Sequence, residues 1–330
     1  MKVAVIGVGS MGFNHLRVYT EIDGLEVVGA SDISPERLKI VNGRFGVKVF
    51  TDYKELFEKE KPEAVSITVP TSEHEIVASY ALEQGAHVLV EKPIAATIDE
   101  GKRLIELAKK RGLQLMVGHI IRFNPAMQSL KARLDNGDLG KIFQVFCRRA
   151  GPFPARIRDV GVVIDLAPHD VDIMRYLTGM DPMRVYAETE QRIHTDHEDL
   201  LFGLLRFPEG VTGALEINWL TPTKMRETLV LGEKGLFRVD DLMQDLYFYE
   251  NQQAVGDLWS SFRTIRGVSE GSMTRFPIKR QEPLKAELTA FVNAVRESKD
   301  VPVTGQDGLE ALRLSLALVE SGITHQVVEV

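Results

Sequence analysis

Apolar and polar positions change rhythm near residue 120, and that change divides the chain. Before it, near-continuous apolar runs (Val3–Ile6, Leu25–Ala30, Ala64–Val69, His87–Val90 and Leu113–Val117) alternate with amphipathic stretches. Such runs suit parallel strands buried on both faces. The stretches between them carry helix signals. Ser34–Arg44 opens with Ser34 at the N-cap and Pro35 at the first helical position. Glu73–Gln84 closes at Gly85, where a C-terminal glycine belongs. Strand and helix in repetition predict a doubly wound parallel α/β sheet over residues 1–120, with right-handed crossovers.

Beyond residue 120 the pattern shifts. A helix follows Asn124–Pro125, then a strand at Lys141–Arg149 and an apolar helix at Val162–Leu177. Closely spaced strands come next: Arg184–Gln191, Leu200–Phe207, Val211–Trp219, Arg226–Leu231 and Leu236–Asp240. The Phe-Pro-Glu-Gly at 207–210 is a turn signal between two of them. Short turns between consecutive strands predict an open, largely antiparallel sheet, so residues 121–330 read as an α+β domain. Two closing helices have helical apolar spacing, one through Leu284, Leu288, Phe291 and Val295, the other through Leu309, Leu312, Leu316 and Val319. Asn251–Gly271 is polar and reads as a loop or insertion.

Composition narrows the class. The chain has 330 residues, more than the roughly 100–200 of one domain, so two are expected. At 44% hydrophobic and 26% charged, it has apolar material for two cores. A net charge of −7 argues against a general nucleic-acid binder. Cys147 is the single cysteine, which excludes an intramolecular disulfide. The first apolar run starts at the chain's beginning, leaving no room for a signal peptide, and no run approaches the ~18 residues of a membrane span. A cytoplasmic protein without a membrane partner is expected.

The first turn carries chemistry. Val3–Ile6 empties into Gly7, Gly9 and Gly12, with Ser10 and Met11 opening a helix. The first glycine permits a tight turn, the second lets backbone approach a pyrophosphate, and the third lets helix pack on strand. Free amides at a helix start then bind phosphate. Asp32 falls twenty residues beyond Gly12 at the end of the second strand, the position of the acid that accepts ribose hydroxyls. Ile33 and Ser34 follow it, so NAD is favoured over NADP. Arg37 lies one helical turn on, where it either softens that preference or stands on a solvated helix face, the second being the favoured reading.

Two further constellations suggest reacting groups. Glu91, Lys92 and Pro93 sit at the carboxyl end of a buried strand, where open α/β sheets bind ligands. An amine there can share a proton with a substrate oxygen; by position alone, a surface pair with Glu91 is an equal reading. Pro93 constrains Lys92 to an extended conformation. In Asp165-Leu-Ala-Pro-His169, two side chains four apart share a helix face, with Asp170 and Asp172 following. Histidine suits removal of a hydroxyl proton. Zinc ligation by Asp165 and His169 is the rival, with no third ligand evident, so no metal is expected. Pro168 predicts that the helix starts or bends beside His169. His194 and His197 flank Asp196 and read as a solvated turn.

Together these residues resemble the Gfo/Idh/MocA family of sugar and cyclitol oxidoreductases. The likeness runs through GVGSMG, Asp32, Pro70, His74, the EKP at 91–93, Arg122-Phe-Asn-Pro, DLAPHDVD at 165–172 and the segment Glu282-Pro-Leu to Glu287. It implies an N-terminal Rossmann domain and a C-terminal α+β domain whose open sheet supports a homodimer or homotetramer. It also implies that Thr68, Pro70, His74 and Glu91 border the cofactor. Lys92, Asp165 and His169 would line the substrate carbon, His169 as acid/base and Lys92 polarising the oxygen, with Arg122 and Asn124 also on the substrate.

Within the family, Arg122-Phe-Asn-Pro and residues 151–177 look most like nucleotide-sugar 3-dehydrogenases. That likeness implies oxidation of the 3-hydroxyl of UDP-N-acetylglucosamine or a related UDP-sugar, with the ketone passed to an aminotransferase. Arg148, Arg149, Arg156 and Arg158 concentrate just before the candidate catalytic helix. Guanidinium forks match phosphate oxygens, so Arg156 and Arg158 are candidates for a pyrophosphate clamp. Arg148 and Arg149 alternatively point from opposite faces of a strand and serve an interface. The rival functions are a dehydrogenase of a free sugar or cyclitol such as myo-inositol or glucose, and a non-catalytic NAD-binding sensor.

Overall fold

The computed structural model of the chain describes residues 1–154, 160–193, 196–253 and 268–330. In chain order the elements begin β1 (Lys2–Ile6), α1 (Ser10–Thr20), β2 (Glu26–Ser31), α2 (Pro35–Phe45), β3 (Val49–Phe50), α3 (Tyr53–Glu60), β4 (Ala64–Ile67), α4 (His74–Glu83), β5 (His87–Glu91), α5 (Ile98–Arg111) and β6 (Leu115–Gly118). There follow α6 (Pro125–Asp135), β7 (Ile142–Pro152), α7 (Val162–Thr178), β8 (Arg184–Glu190), β9 (Leu200–Arg206), β10 (Thr212–Asn218), β11 (Leu220–Gly232), β12 (Gly235–Asp240), β13 (Asp245–Gln253) and β14 (Val268–Phe276). The chain closes with α8 (Pro283–Glu297), α9 (Gly305–Thr324) and β15 (Val328–Glu329).

One compact unit comprises Met1–Phe123 and Glu282–Arg313; the other comprises Asn124–Gln281 and Leu314–Val330. The chain is therefore not cut at a single point: a segment expected with the second domain packs in the first unit, and the division falls inside α9.

The first unit is a six-stranded parallel sheet in the order β3-β2-β1-β4-β5-β6. Val3, Ala4, Val5, Val65, Ile67 and Val88–Val90 are fully buried, which is why these strands appear as unbroken apolar runs. Helix ends follow local chemistry. The Ser34 hydroxyl caps α2, with Pro35 in the first turn, and Gly46 ends it at φ +66°. Thr97 and Glu100 form a reciprocal capping box at α5. The strand order reverses between β1 and β4, which makes the crevice beyond their carboxyl ends the place where such sheets take ligands.

The second unit is a nine-stranded sheet in the order β14-β13-β12-β11-β7-β10-β9-β8-β15. Only the β10–β7 pair is parallel; the others are antiparallel. Helix α7 packs on β7, β9 and β10, and α6 on β12 and β13. Their side of the sheet is apolar and buried, including Val145, Cys147, Leu215, Ile217, Leu201, Leu205, Val230 and Phe237. On the opposite side, register places Tyr186, Leu204, Ala214, Phe146 and Leu229 in one ladder across five strands. Beside it runs a charged ladder of Glu188, Phe202, Glu216, Arg148 and Glu227.

Two expectations are corrected. Residues 251–253 and 268–271, read as the ends of a loop, are paired in β13 and β14, with Asn251 opposite Glu270; residues 254–267 lie outside the described residues. Helix α7 does not start at Pro168 but runs from Val162 to Thr178 with the proline inside. The missing amide costs an internal hydrogen bond. Burial of Val162, Val163, Ala167, Pro168, Val171 and Met174 along the same helix offsets it. The expected N-terminal strands and the mixed C-terminal sheet are otherwise present. Among the described residues no helix is long and apolar enough to cross a membrane.

Glu287 on α8 stands out as a fully buried acid in the first unit, and neither carboxyl oxygen has a hydrogen-bond partner. Burial, reinforced by the nearby charge of Glu91, pushes its pKa well above the usual carboxylate range. The native state therefore keeps a proton that the unfolded chain releases, and stability falls as pH rises from the ordinary carboxylate value toward the raised one. Glu287→Gln should flatten that decline, gaining up to about 1.4 kcal/mol over wild type for each pH unit within the window. Urea unfolding at acidic and alkaline pH measures the difference; equal slopes for the two proteins would refute a protonated Glu287.

Candidate active site

Gly7 follows β1 at φ +83°, and a Cβ there would lie 2.8 Å from the backbone of Thr68. A Cβ on Gly12 would lie 1.8 Å from the Gly7 carbonyl oxygen. Neither position admits a side chain, so α1 starts tight against the end of β1. The Thr68 hydroxyl donates to the Gly7 carbonyl and so braces this turn. Gly9 is the N-cap of α1, with Ser10 and Met11 in the first turn. The Asp32 carboxylate accepts from the Val8 amide at 2.8 Å and from the Ser34 amide at 2.8 Å, one oxygen each. A carboxylate has roughly four acceptor sites, so capacity for ribose hydroxyls remains. These features fit a dinucleotide: a bare glycine turn, a helix N-terminus and an acid at the end of β2.

Arg37 is exposed, as expected of a solvated helix face, but it also reaches the glycine turn. Its Nη1 lies 2.7 Å from where a Gly9 Cβ would be, so the guanidinium lies over the glycine turn. That proximity brings a cation to a loop suited to phosphate.

The β5 end is braced from below. His74 is buried, with Nδ1 2.8 Å from the Pro93 carbonyl oxygen and Nε2 3.0 Å from that of Val69. Both ring nitrogens face backbone, so His74 ties the loops after β4 and β5 together. Burial pushes its pKa down, against the raising effect of the Pro93 and Val69 carbonyls. Pro70 begins the single 3₁₀ turn that leads into α4, its carbonyl accepting from Glu73. Glu91 accepts from His15 Nε2 at 2.9 Å. Burial would raise the Glu91 pKa, but the His15 bond and the charges of His15, Lys92 and His74 hold it below the ordinary value. Lys92 therefore follows an anchored carboxylate and precedes a cis peptide bond to Pro93.

Arg122 and Asn124, expected on the substrate, are both buried. Arg122 Nη2 is 3.1 Å from Asp307 in the first unit. Asn124 caps α6 through Oδ1, accepting from Ala126, and its Nδ2 donates to the Asp241 carbonyl at 2.9 Å. Both Asn124 side-chain groups are engaged in structure.

In the second unit, Asp165 and His169 lie on α7, both part-exposed. The helix is held at two points. At its start, Glu198 accepts from the Val162 amide with its carbonyl (2.9 Å) and from the Val163 amide with its carboxylate (3.1 Å). A Cβ on Gly161 would lie 2.0 Å from that carboxylate. Next to His169, the buried Asp170 receives Arg149 of β7 through Nε at 2.9 Å and Nη2 at 2.7 Å. Arg149 Nη2 is also 3.7 Å from Asp241. Burial alone would lower the Arg149 pKa, but Asp170 and Asp241 hold it above the usual value. Burial pushes Asp241 up to about 7, against the lowering effect of Arg149.

Arg148 faces the other side of β7, 2.7 Å from Glu216 and 4.0 Å from Glu227. The two arginines therefore project from opposite faces, and Arg149 is held in a buried ion pair. Arg156, Arg158 and His194 lie outside the described residues. The pairing of Arg149 with Asp170 and the Glu198 cap escaped the sequence reading; the Asp directly after His169, opposite a β7 side-chain row, was the available signal. Among the described residues, no group of three or more His, Cys, Asp or Glu side chains has metal-binding geometry.

The family comparisons fit this geometry. The model of the oxidoreductase family with an NAD-binding Rossmann fold matches residues 1–119, and the GFO/IDH/MocA C-terminal domain matches residues 127–238. The chain belongs to the Gfo/Idh/MocA family. It is an NAD-binding oxidoreductase acting on a CH–OH group of a sugar or cyclitol. UDP-N-acetylglucosamine 3-dehydrogenase of Acidithiobacillus ferrooxidans is 29% identical, over 96% of this chain and 95% of that one. Its solved structure aligns with a TM-score of 0.85 at 29% identity, covering 97% of each chain. Inositol 2-dehydrogenase 2 of Saccharopolyspora erythraea is 30% identical over 98% of this chain and 94% of that one. Myo-inositol 2-dehydrogenase of Thermotoga maritima is 27% identical over 97% and 96%.

Arg149→Met should leave Asp170 buried without its partner and destabilise the protein by about 3–5 kcal/mol. Chemical denaturation measures this, and a loss below about 1 kcal/mol would mean that the pair does not anchor α7.

Proposed function

We propose that the chain oxidises the 3-hydroxyl of UDP-N-acetylglucosamine, or of a related UDP-sugar, to the 3-keto sugar nucleotide. The observation that carries this reading is the likeness to the Acidithiobacillus ferrooxidans enzyme over nearly the whole of both chains. The free-cyclitol reading stays beside it because the inositol dehydrogenases match at the same level of identity.

NAD supplies the hydride acceptor. Gly7, Gly9, Ser10, Met11 and Gly12 receive its pyrophosphate, and Asp32 its ribose hydroxyls; the bare glycine turn and the open acceptor capacity of Asp32 support these roles. Lys92 donates to the substrate oxygen, His169 takes the hydroxyl proton, and Asp165 orients the imidazole one helical turn away. The proton leaves the hydroxyl as the hydride leaves the same carbon, so a two-electron oxidation yields the ketone. The His15–Glu91 bond fixes the backbone before Lys92, and the Arg149–Asp170 pair fixes the helix beside His169. Thr68, Pro70 and His74 act by shaping the turns around the cofactor.

A homodimer or homotetramer formed through the outer face of the nine-stranded sheet belongs to the same reading. Leu204, in the apolar ladder, and Phe202, set within the charged ladder beside it, are each 52% exposed there. Apolar residues in register on an uncovered sheet face are the pattern of a surface that packs on another.

Absorbance of NADH formed with UDP-N-acetylglucosamine, its uronic acid and myo-inositol decides between the substrates. Turnover of myo-inositol alone would refute the nucleotide-sugar reading. Lys92→Ala should lower kcat by about a hundredfold or more while NAD binding, followed by fluorescence quenching, stays close to wild type; parallel loss of both would make the lysine structural. Leu204→Glu should convert the oligomer to a smaller species in sedimentation velocity. An unchanged sedimentation coefficient would remove this face from the interface.

A further inference from the structure

Arg226 of β11 is a half-engaged cation in the second unit. It lies opposite Arg149 of β7 in register, on the side of the sheet that carries α7. Its Nη1 donates to the Ala150 carbonyl at 2.6 Å and to the Met225 carbonyl at 2.8 Å. Its backbone carbonyl accepts from the Asp241 amide at 3.0 Å, which pins the strand. No carboxylate closes on the rest of the fork: Nε and Nη2 have no hydrogen-bond partner among the described residues, and neither is sealed from solvent. Arg149, by contrast, gives its fork to Asp170.

The surroundings keep this cation charged yet poorly satisfied. Arg149, Asp170, Asp241 and Asp165 are the charged groups that act on it. Burial pushes its pKa down to about 10 and Arg149 adds to that, while Asp170, Asp241 and Asp165 oppose it. A guanidinium in that state gains from a bidentate oxyanion more than a solvated one does. Lys224, two residues earlier, lies on the same spot. A Cβ on Gly151 would touch its Cγ at 3.4 Å and Arg226 Nη1 at 3.9 Å, so the end of β7 presents no side chain beneath the two cations. Glycine at 151 thus leaves a gap bordered by positive charge, within the electrostatic reach of Asp165.

We propose that Arg226, with Lys224 beside it, forms a binding site for an oxyanion of the substrate, either a phosphate or a carboxylate. Nε and Nη2 supply the parallel pair of donors, and Lys224 adds charge without a fixed direction. The inference rests on the reading of the substrate as an anionic sugar and deepens it by naming the residue that selects for that charge.

Calorimetric titration of the NAD-loaded protein tests it, with wild type, Arg226→Gln and Arg226→Lys against UDP-N-acetylglucosamine, free glucuronate and myo-inositol. Arg226→Gln should weaken an anionic ligand about tenfold or more and leave myo-inositol within about twofold. Arg226→Lys keeps the charge but not the fork and should fall between, about threefold or more weaker than wild type; it carries the test if the glutamine variant does not fold. Loss with the UDP-sugar assigns a phosphate, and loss confined to glucuronate assigns a carboxylate. Wild type that binds glucuronate but no UDP-sugar ends the nucleotide-sugar reading, yet Arg226 stands if its variants lose glucuronate. Unchanged affinity for both anions, equal weakening of myo-inositol, or wild type that binds neither anion overturns the proposal.

Discussion

The second unit depends on one buried ion pair, Arg149 with Asp170. Two charges removed from water are costly, and their attraction compensates only with good geometry and further hydrogen bonds. Here the geometry is a two-nitrogen grip, and Asp241 supplies a second acid at 3.7 Å. An apolar pair would hold strand to helix with comparable strength but with less definition of angle and register. The charged one specifies which residue of α7 meets which residue of β7. Since His169 precedes Asp170 directly, the imidazole inherits its position from that grip.

The first unit uses a different device for the same end. Glu91 is gripped by His15, His74 joins the two flanking loops, and Lys92 is carried on the backbone between them. In both units the candidate reacting side chain is itself part-exposed, while its sequence neighbour is fastened, Asp170 buried against Arg149 and Glu91 half-buried against His15. Rigidity is supplied by the neighbour and chemistry by the residue beside it, which follows the general need for preorganised sites on firm scaffolds.

How much of this could be read from the sequence depended on where partners lie along the chain. Parallel strands buried on both faces announce themselves as apolar runs, so β1, β2, β4, β5 and β6 were visible, as was the glycine turn with Asp32. β13 and β14 were hidden because strands such as DLYFYENQQ carry polar residues at one end that look like a loop. β3 and β15, two residues each, leave no periodicity to detect. Arg122 and Asn124 are expected on the substrate through the family resemblance alone. Their partners, Asp307 and Asp241, are 185 and 117 residues away, so nothing local marked them as internal braces. Pro168 does not start a helix despite its local signal, because burial along α7 carries the helix through it.

The carboxylate of Glu198 occupies the volume that a side chain on Gly161 would need. These two positions, thirty-seven apart in the chain (198 − 161), therefore form a single steric unit. A larger residue at the first would displace the carboxylate of the second, and its displacement strips the leading turn of α7 of an acceptor. The stretch before β9 is thereby tied sterically to the helix that bears His169.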